Sequence, residues 1–332
     1  MKAVDHLTPA EIKALTLASD LRGWLAVVTT WAMIAGGLAL PAIWPTVWAV
    51  AISLVILGGR HLALAILMHD ASHWSLFKTR RLNEWVGAWL GAYPTWQHLA
   101  RYRVHHWDHH RFAGTQRDPD VSLVRGFPCG RAGLARKLGR DILGITGIKR
   151  VIGLVLMDLG YLEYTVAGDA KPAKNPPKNW REAARTGVKN LHGLVITNLF
   201  LLGVLWALGH PALYLLWVGS YLTTFSVFLR VRSVAEHAVT DMNPDPAACT
   251  RTTMANPLAR VTVAPHRVNY HLEHHLVPNV PYFQLPRFHA LLRERGALGG
   301  AHVAPGYLAV LKAAAGDAPP PRLPRGRASS NV

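Results

Sequence analysis

Residues 47–73 read VWAVAISLVILGGRHLALAILMHDASH, and this stretch bears on both the fold class and the chemistry. From Val47 to Met68 it is almost unbroken by charge, Arg60 and His61 apart, and it reaches the roughly 20 residues needed to cross a bilayer. It ends in His69-Asp-Ala-Ser-His73. On a helix, residues four apart share a face one turn from each other, so both imidazoles can address one site.

Three further apolar runs flank this one: Trp24 to Trp44, Leu191 to Leu208 and Leu213 to Leu229. The spacing predicts an all-α integral membrane protein, with four transmembrane helices in two hairpins and a helical cap on one face. A net charge of +17 fits either a polyanion partner or a membrane surface, so its distribution must decide. Pro41 to Thr46 and Gly209 to Ala212, which join the two pairs of spans, contain no Lys or Arg. Lys2, Lys13 and Arg22 precede the first span, a basic stretch runs from Lys78 to Lys189, and Arg-rich sequence follows the fourth. This asymmetry indicates a membrane surface rather than nucleic acid. It places both termini and the cap in the cytoplasm, at the inner membrane if the source is bacterial.

The segment Met1 to Leu21 has no cleavable signal pattern, so the first span is expected to be a retained anchor. Cys129 and Cys249 form no metal or disulfide pattern and are read as unpaired thiols. Residues 84–96 and 142–162 suit interfacial or short buried helices, and residues 171–178, with three prolines, suit a surface linker. One membrane domain is expected over residues 1–316, followed by a disordered basic tail over 317–332.

The 18 histidines concentrate chemistry at a few places. Within His105-His-Trp-Asp-His-His110, His106, His109 and His110 have three-and-four spacing, and His271-Leu-Glu-His-His275 repeats it. The charge-derived topology brings all three clusters to one membrane face without using histidine at all. Imidazoles suit Fe, Zn, Cu or Ni. Eight clustered histidines exceed the four ligands of a structural zinc site, which implies two metals. A bis-histidine haem needs facing histidines at membrane depth, whereas these lie at span ends and beyond. Carboxylates beside the clusters are candidates to orient the rings: Asp70, Asp108, Glu236 and Glu273, with Asp118 and Asp120 nearby. His61, about 80° round the helix from His69, is read as a packed histidine. His98, His105, His192, His266 and His289 lack the spacing or the matching context, and His6, His210 and His302 lie at termini or in the far loop.

Taken with their contexts, His69-Asp-Ala-Ser-His-Trp74, Tyr102-Arg103, Asp118-Pro-Asp120 and His271-Leu-Glu-His-His-Leu-Val-Pro278, these boxes resemble the membrane fatty acid desaturase and hydroxylase superfamily. The resemblance runs from about Gly58 to Arg295. It implies two irons at the cytoplasmic membrane face, dioxygen as co-substrate, and electrons from a separate donor such as a ferredoxin. It also implies the ligands His69, His73, His106, His109, His110, His271, His274 and His275, with His237 as a ninth. Some members carry an asparagine four residues before that ninth histidine, and here the position is Ser233. The implied activity is desaturation of a lipid acyl chain held in an apolar tunnel. Hydroxylation or ketolation of a lipid or carotenoid is the alternative on the same centre. A non-catalytic membrane metal or electron carrier would call for acidic or histidine residues in mid-span, where this chain offers only His61 and Asn198. No dinucleotide fingerprint or haem-attachment motif suggests a fused donor domain.

Overall fold

The first long helix, α1 (Asp20–Ile43), starts where the Ser19 hydroxyl accepts from the Arg22 N–H. A three-residue link, 44–46, leads to α2 (Val47–Ser72), which the Thr46 hydroxyl caps by accepting from Ala49 N. Such caps satisfy N–H groups that a helix cannot pair internally. The two helices pack closely enough for the Ser53 hydroxyl to donate to Gly37 O at 2.6 Å. The structure, a computed structural model, describes residues 3–316, so the tail expected over 317–332 lies outside the described residues.

Residues 80–95 form short helical turns, part of them a wide turn over Gly87–Ala92, buried against α2 rather than spanning. After them α3 (Leu99–Phe112) carries the second histidine cluster. The apolar stretch 142–162 resolves into α4 (Ile145–Asp158), preceded by Gly144 at φ 77°. Its last residue, Asp158, is buried and ties four elements together: it accepts from Trp96 Nε1, His98 Nε2 and Arg101 Nη1, and its carbonyl accepts from Asn190.

The third long helix, α5 (Trp180–Ala207), begins well before the expected Leu191. Asn179 accepts from Glu182 N while Glu182 reaches back to Lys178 N, a reciprocal cap that starts the helix in polar sequence ahead of the apolar run. The fourth apolar segment, 211–237, is broken at Thr223 into α6 (Tyr214–Leu222) and α7 (Thr224–His237). α7 runs eight residues beyond the expected end at Leu229, carrying polar residues Arg230, Arg232, Glu236 and His237 on the helix. All four apolar segments are long enough to cross a membrane.

The expectation of helices alone needs a small correction. β1 (Arg251–Thr253) pairs in parallel with β2 (His302–Ala304), Arg251 opposite His302. Arg251 to Thr253 are fully buried, and a buried backbone needs partners, which a three-residue strand finds across the chain. Between the strands lie α8 (His271–Leu276), with the third cluster, and α9 (Leu285–Glu294); α10 (Tyr307–Ala314) follows β2 and packs against α7. Cys129 and Cys249 are free thiols, as expected.

Candidate metal centre

α2 ends at Ser72, so His69 is in its last turn and His73 caps it, both buried. α3 contributes His106, His109 and His110, α7 ends on His237, and α8 supplies His271, His274 and His275. The nine histidines expected from the sequence thus meet at one end of the helices. They fall into two groups whose ligand atoms lie within 4.8 Å of one another: His69, His73, His106 and His274, then His109, His237, His271 and His275. His110 stands between the groups, its Nε2 2.9 Å from that of His274 and 3.1 Å from that of His106, its ring centroid 4.3 Å from that of His275.

The outward ring nitrogens are held. Cys249 O accepts from His237 Nδ1 at 3.0 Å, and Asp118 Oδ1 accepts from His109 Nδ1 at 2.8 Å; Asp70 Oδ1 lies 2.8 Å from His69 Nδ1. A carbonyl only accepts, so the proton of neutral His237 is on Nδ1 and its Nε2 presents a lone pair. That Nε2 is 2.8 Å from His271 Nε2, and the chain continues to His275 at 3.1 Å and His109 at 3.3 Å. In the other group, His69 Nε2 is 3.0 Å from His274 Nε2. Inward lone pairs this close repel unless a cation sits among them. Among the described residues, neither ring nitrogen of buried His73 has a hydrogen-bond partner. The donor set therefore fits metal ions.

Electrostatics agree. Burial pushes the His73 imidazole down to about 3 and holds His106, His110, His271, His274 and His275 well below the ordinary histidine range, so these rings are neutral at pH 7. His109 moves the other way: burial lowers it, but the hydrogen bond to Asp118 and the charges of Asp120 and Asp118 outweigh that. Burial also favours neutral Asp120, yet the hydrogen bond from His105 holds it below its usual value.

Two of the four carboxylates expected to orient the rings do not reach them. Asp108 is half exposed and faces Arg111 at 3.8 Å, because a residue next to His109 on a helix points about 100° away from it. Asp118, returning after the turn at Gly114, takes that place. Glu273 is buried but accepts from Thr252 Oγ1 at 2.5 Å and His289 Nδ1 at 2.6 Å, on the side of α8 away from the histidine groups. Glu236 lies 3.5 Å from His271 Nδ1 while accepting from Arg232 Nε at 2.7 Å. His105 and His289, set aside as ligands from the sequence, hold Asp120 and Glu273 respectively. The Ser233 hydroxyl donates to Leu229 O, within its own helix. His61 is packed on Trp217 at 3.8 Å between ring centroids, its Nε2 3.1 Å from Trp217 O.

A cavity of about 120 Å³ touches both groups, reaching His106, His109, His237 and His271. Its other walls include Ala65 and Met68 of α2 and Phe225 and Leu229 of α7.

The fatty acid desaturase family profile matches residues 45–307. The chain is 26% identical to a dihydrorhizobitoxine desaturase of Bradyrhizobium elkanii over 72% of its own length and 66% of that relative's. It is 28% identical to a beta-carotene ketolase of Paracoccus sp. (strain PC1), over 68% of this chain and 72% of the ketolase. A second Paracoccus beta-carotene ketolase, of strain N81106 / MBIC 01143, is 26% identical over 67% of this chain and 72% of its own. With its profile matched across most of its length, four apolar helices and a buried histidine cluster at one end, this chain belongs to the fatty acid desaturase family.

Proposed function

We propose that the protein is a membrane-bound, non-haem di-iron oxidoreductase that introduces a double bond into the acyl chain of a lipid. The observation that carries this reading is the pair of four-histidine groups, one for each of two irons, beside a cavity of about 120 Å³. The nine histidines, with His110 between the groups, are the ligands. When bound, two irons supply the oxidation of an unactivated C–H bond by dioxygen, which no side chain of this protein can perform. In balance, R–CH2–CH2–R′ with O2, two electrons and two protons gives R–CH=CH–R′ and two waters. The electrons come from a separate one-electron donor such as a ferredoxin.

The chain's own residues do the rest. Asp118, Asp70 and the Cys249 carbonyl fix the rings so that Nε2 faces inward. The cavity walls hold two adjacent methylenes against the centre and keep bulk water from it. Charge asymmetry puts this centre and both termini on the cytoplasmic face, with the first two and last two spans as hairpins. The ketolase relatives favour a second reading, oxygen insertion by the same centre.

The test is mass spectrometry of lipids from a host expressing the chain beside one expressing His274→Ala, with iron measured on both purified proteins. The expected result is about two irons in the first, and an acyl product two mass units lighter that the variant does not make. A product gaining one oxygen establishes the ketolase or hydroxylase reading instead, and a single zinc with no iron overturns both.

A further inference from the structure

Besides the histidines themselves, two aromatic rings touch the metal ligands among the described residues. Tyr102 stacks on His106 with centroids 5.1 Å apart and is buried. Trp107 meets His73 edge-on at 5.0 Å and His110 at 5.8 Å, yet it is 41% exposed. The helix explains the difference: α3 turns His106, His109 and His110 inward, and residue 107 follows His106 by one position, about 100° round the axis. Arg103 fixes this part of α3 to the end of α2, donating to Ser72 O at 2.9 Å. Trp107 is therefore an aromatic bridge between solvent and the ligand shell.

Its surroundings carry charge of one sign. Val104, 67% exposed and one turn away, makes a small apolar island with Trp107. Arg103 and Arg111 lie one turn before and one turn after Trp107 on the same face of α3. Arg80 and Arg103 are 4.8 Å and 4.3 Å from the ring of Trp74, the neighbour of His73, while Arg111 and Arg117 are 6.0 Å and 4.0 Å from the Phe112 ring. Against these four arginines stand Glu84, 2.7 Å from Arg103, and Asp108, 3.8 Å from Arg111. An apolar, aromatic centre within an arginine-rich rim has the composition of a protein interface. The other approach to the ligands is a recess of about 710 Å³ lined by His237, Asp118 and Cys249. Its charged walls are Asp118 and Asp241 against Arg125, and Arg125 is paired with Asp169. An acidic partner is thus drawn to α3 and not to the recess.

We propose that the exposed face of α3 is the docking surface for an acidic one-electron carrier protein, and that the Trp107 indole is where the electron enters the metal centre. This rests on the di-iron oxidoreductase reading and assigns its electron supply to one surface and one side chain. Trp107 touches His73 of the first group and also His110, whose Nε2 is 2.9 Å from that of His274 and whose ring is 4.3 Å from that of His275 in the second. One entry point serves both groups. Each encounter oxidises the carrier by one electron and reduces the centre by one, so two encounters supply the two electrons of a turnover, and the two protons come from solvent. Trp107 ends each encounter unchanged. Redox encounters are brief and bury little surface, so a compact island steered by its charged rim is sufficient.

The test uses the purified, iron-loaded protein with an acidic plant-type ferredoxin as the probe. Affinity is read by calorimetry, and electron transfer by stopped flow from the ferredoxin's own absorbance. Arg80→Glu combined with Arg111→Glu, both on exposed surface, is expected to weaken binding by about tenfold and to flatten its dependence on salt, with iron content unchanged. At saturating ferredoxin, Trp107→Leu is expected to slow electron transfer severalfold or more, whereas Trp107→Phe, which keeps a ring, retains most of the rate. Dithionite, a small reductant that needs no docking surface, is expected to reduce wild type and variants alike. Iron is measured on every variant, and the arginine pair contacts no histidine ligand, so its result decides the docking whatever Trp107→Leu does to the metal. Binding is measured on metal-free protein as well: a chain that binds ferredoxin through these arginines but takes up no iron fails the di-iron reading alone. Affinity untouched by the charge reversal overturns the docking face. An electron-transfer rate untouched in Trp107→Leu at full iron content overturns the entry point and leaves Trp107 as a surface anchor.

Discussion

Two aspartates near His109 show what residue spacing conveys and what it hides. Asp108 adjoins the histidine in sequence and points to solvent, whereas Asp118, nine positions on, receives its Nδ1 proton. Removing an outer partner of a ligand typically costs 10–100-fold in metal affinity, so Asp118→Asn should lose iron on dilution into chelator while Asp108→Asn keeps it. His237→Ala should lose iron and turnover as completely as His274→Ala, and His61→Ala should keep its iron; full occupancy in the His237 variant would remove it from the ligand set. Protonation gives a further check. His73 has a folded value of about 3, far below the ordinary 6.5, and its buried neighbours shift the same way, so the unfolded chain takes up protons that the folded chain does not. The stability these neutral rings preserve is complete above the ordinary histidine value of about 6.5 and is lost as pH falls below it. Melting of the metal-free protein should therefore drop steeply between pH 7 and pH 5, and a flat profile would show that the rings are not buried neutral. The histidines themselves were readable because three-and-four spacing is a direct statement about a helix face. Their partners were not, because a partner is chosen by where the chain returns.

At the scale of elements, close approach decides where helices bend. A Cβ added at Gly58 of α2 would lie 2.2 Å from the Thr224 hydroxyl and 2.8 Å from Phe225 N, at the break between α6 and α7. The Thr224 hydroxyl already donates to Leu54 O there, so the broken span is locked onto α2 at the glycine. Gly58→Ala should destabilise the folded protein by about 1–3 kcal/mol through overpacking, read as a lower melting temperature in detergent. Gly36, on α1, has open space beside it, and Gly36→Ala should be neutral or stabilising. Hydropathy located all four apolar segments, since an apolar run of that length has few other uses. It misplaced their ends, because helices such as α5 and α7 continue into polar sequence when caps and buried ion pairs sustain them. Nothing in Arg251–Thr253 announced a strand, which exists only because residues 302–304 come alongside.

For the whole molecule, the sidedness that charge implies is open to direct measurement. Reporters fused at Lys174 and at the C-terminus should respond as cytoplasmic, and tags at Trp44 and His210 should be reached from the other side. A reporter at Lys174 on the far side would contradict the shared face, because α3 and α8 must meet. The chain order of the two histidine groups has a consequence for biosynthesis. The first takes residues 69, 73 and 106 but waits for 274, and the second takes 109 and 237 but waits for 271 and 275. A ribosome that has delivered all four apolar segments has therefore still not delivered a complete set for either group. On the proposed di-iron reading, metal capture comes after membrane insertion, and a chain stalled or clipped before residue 271 would lodge in the bilayer with imidazoles exposed and no means of closing around a metal.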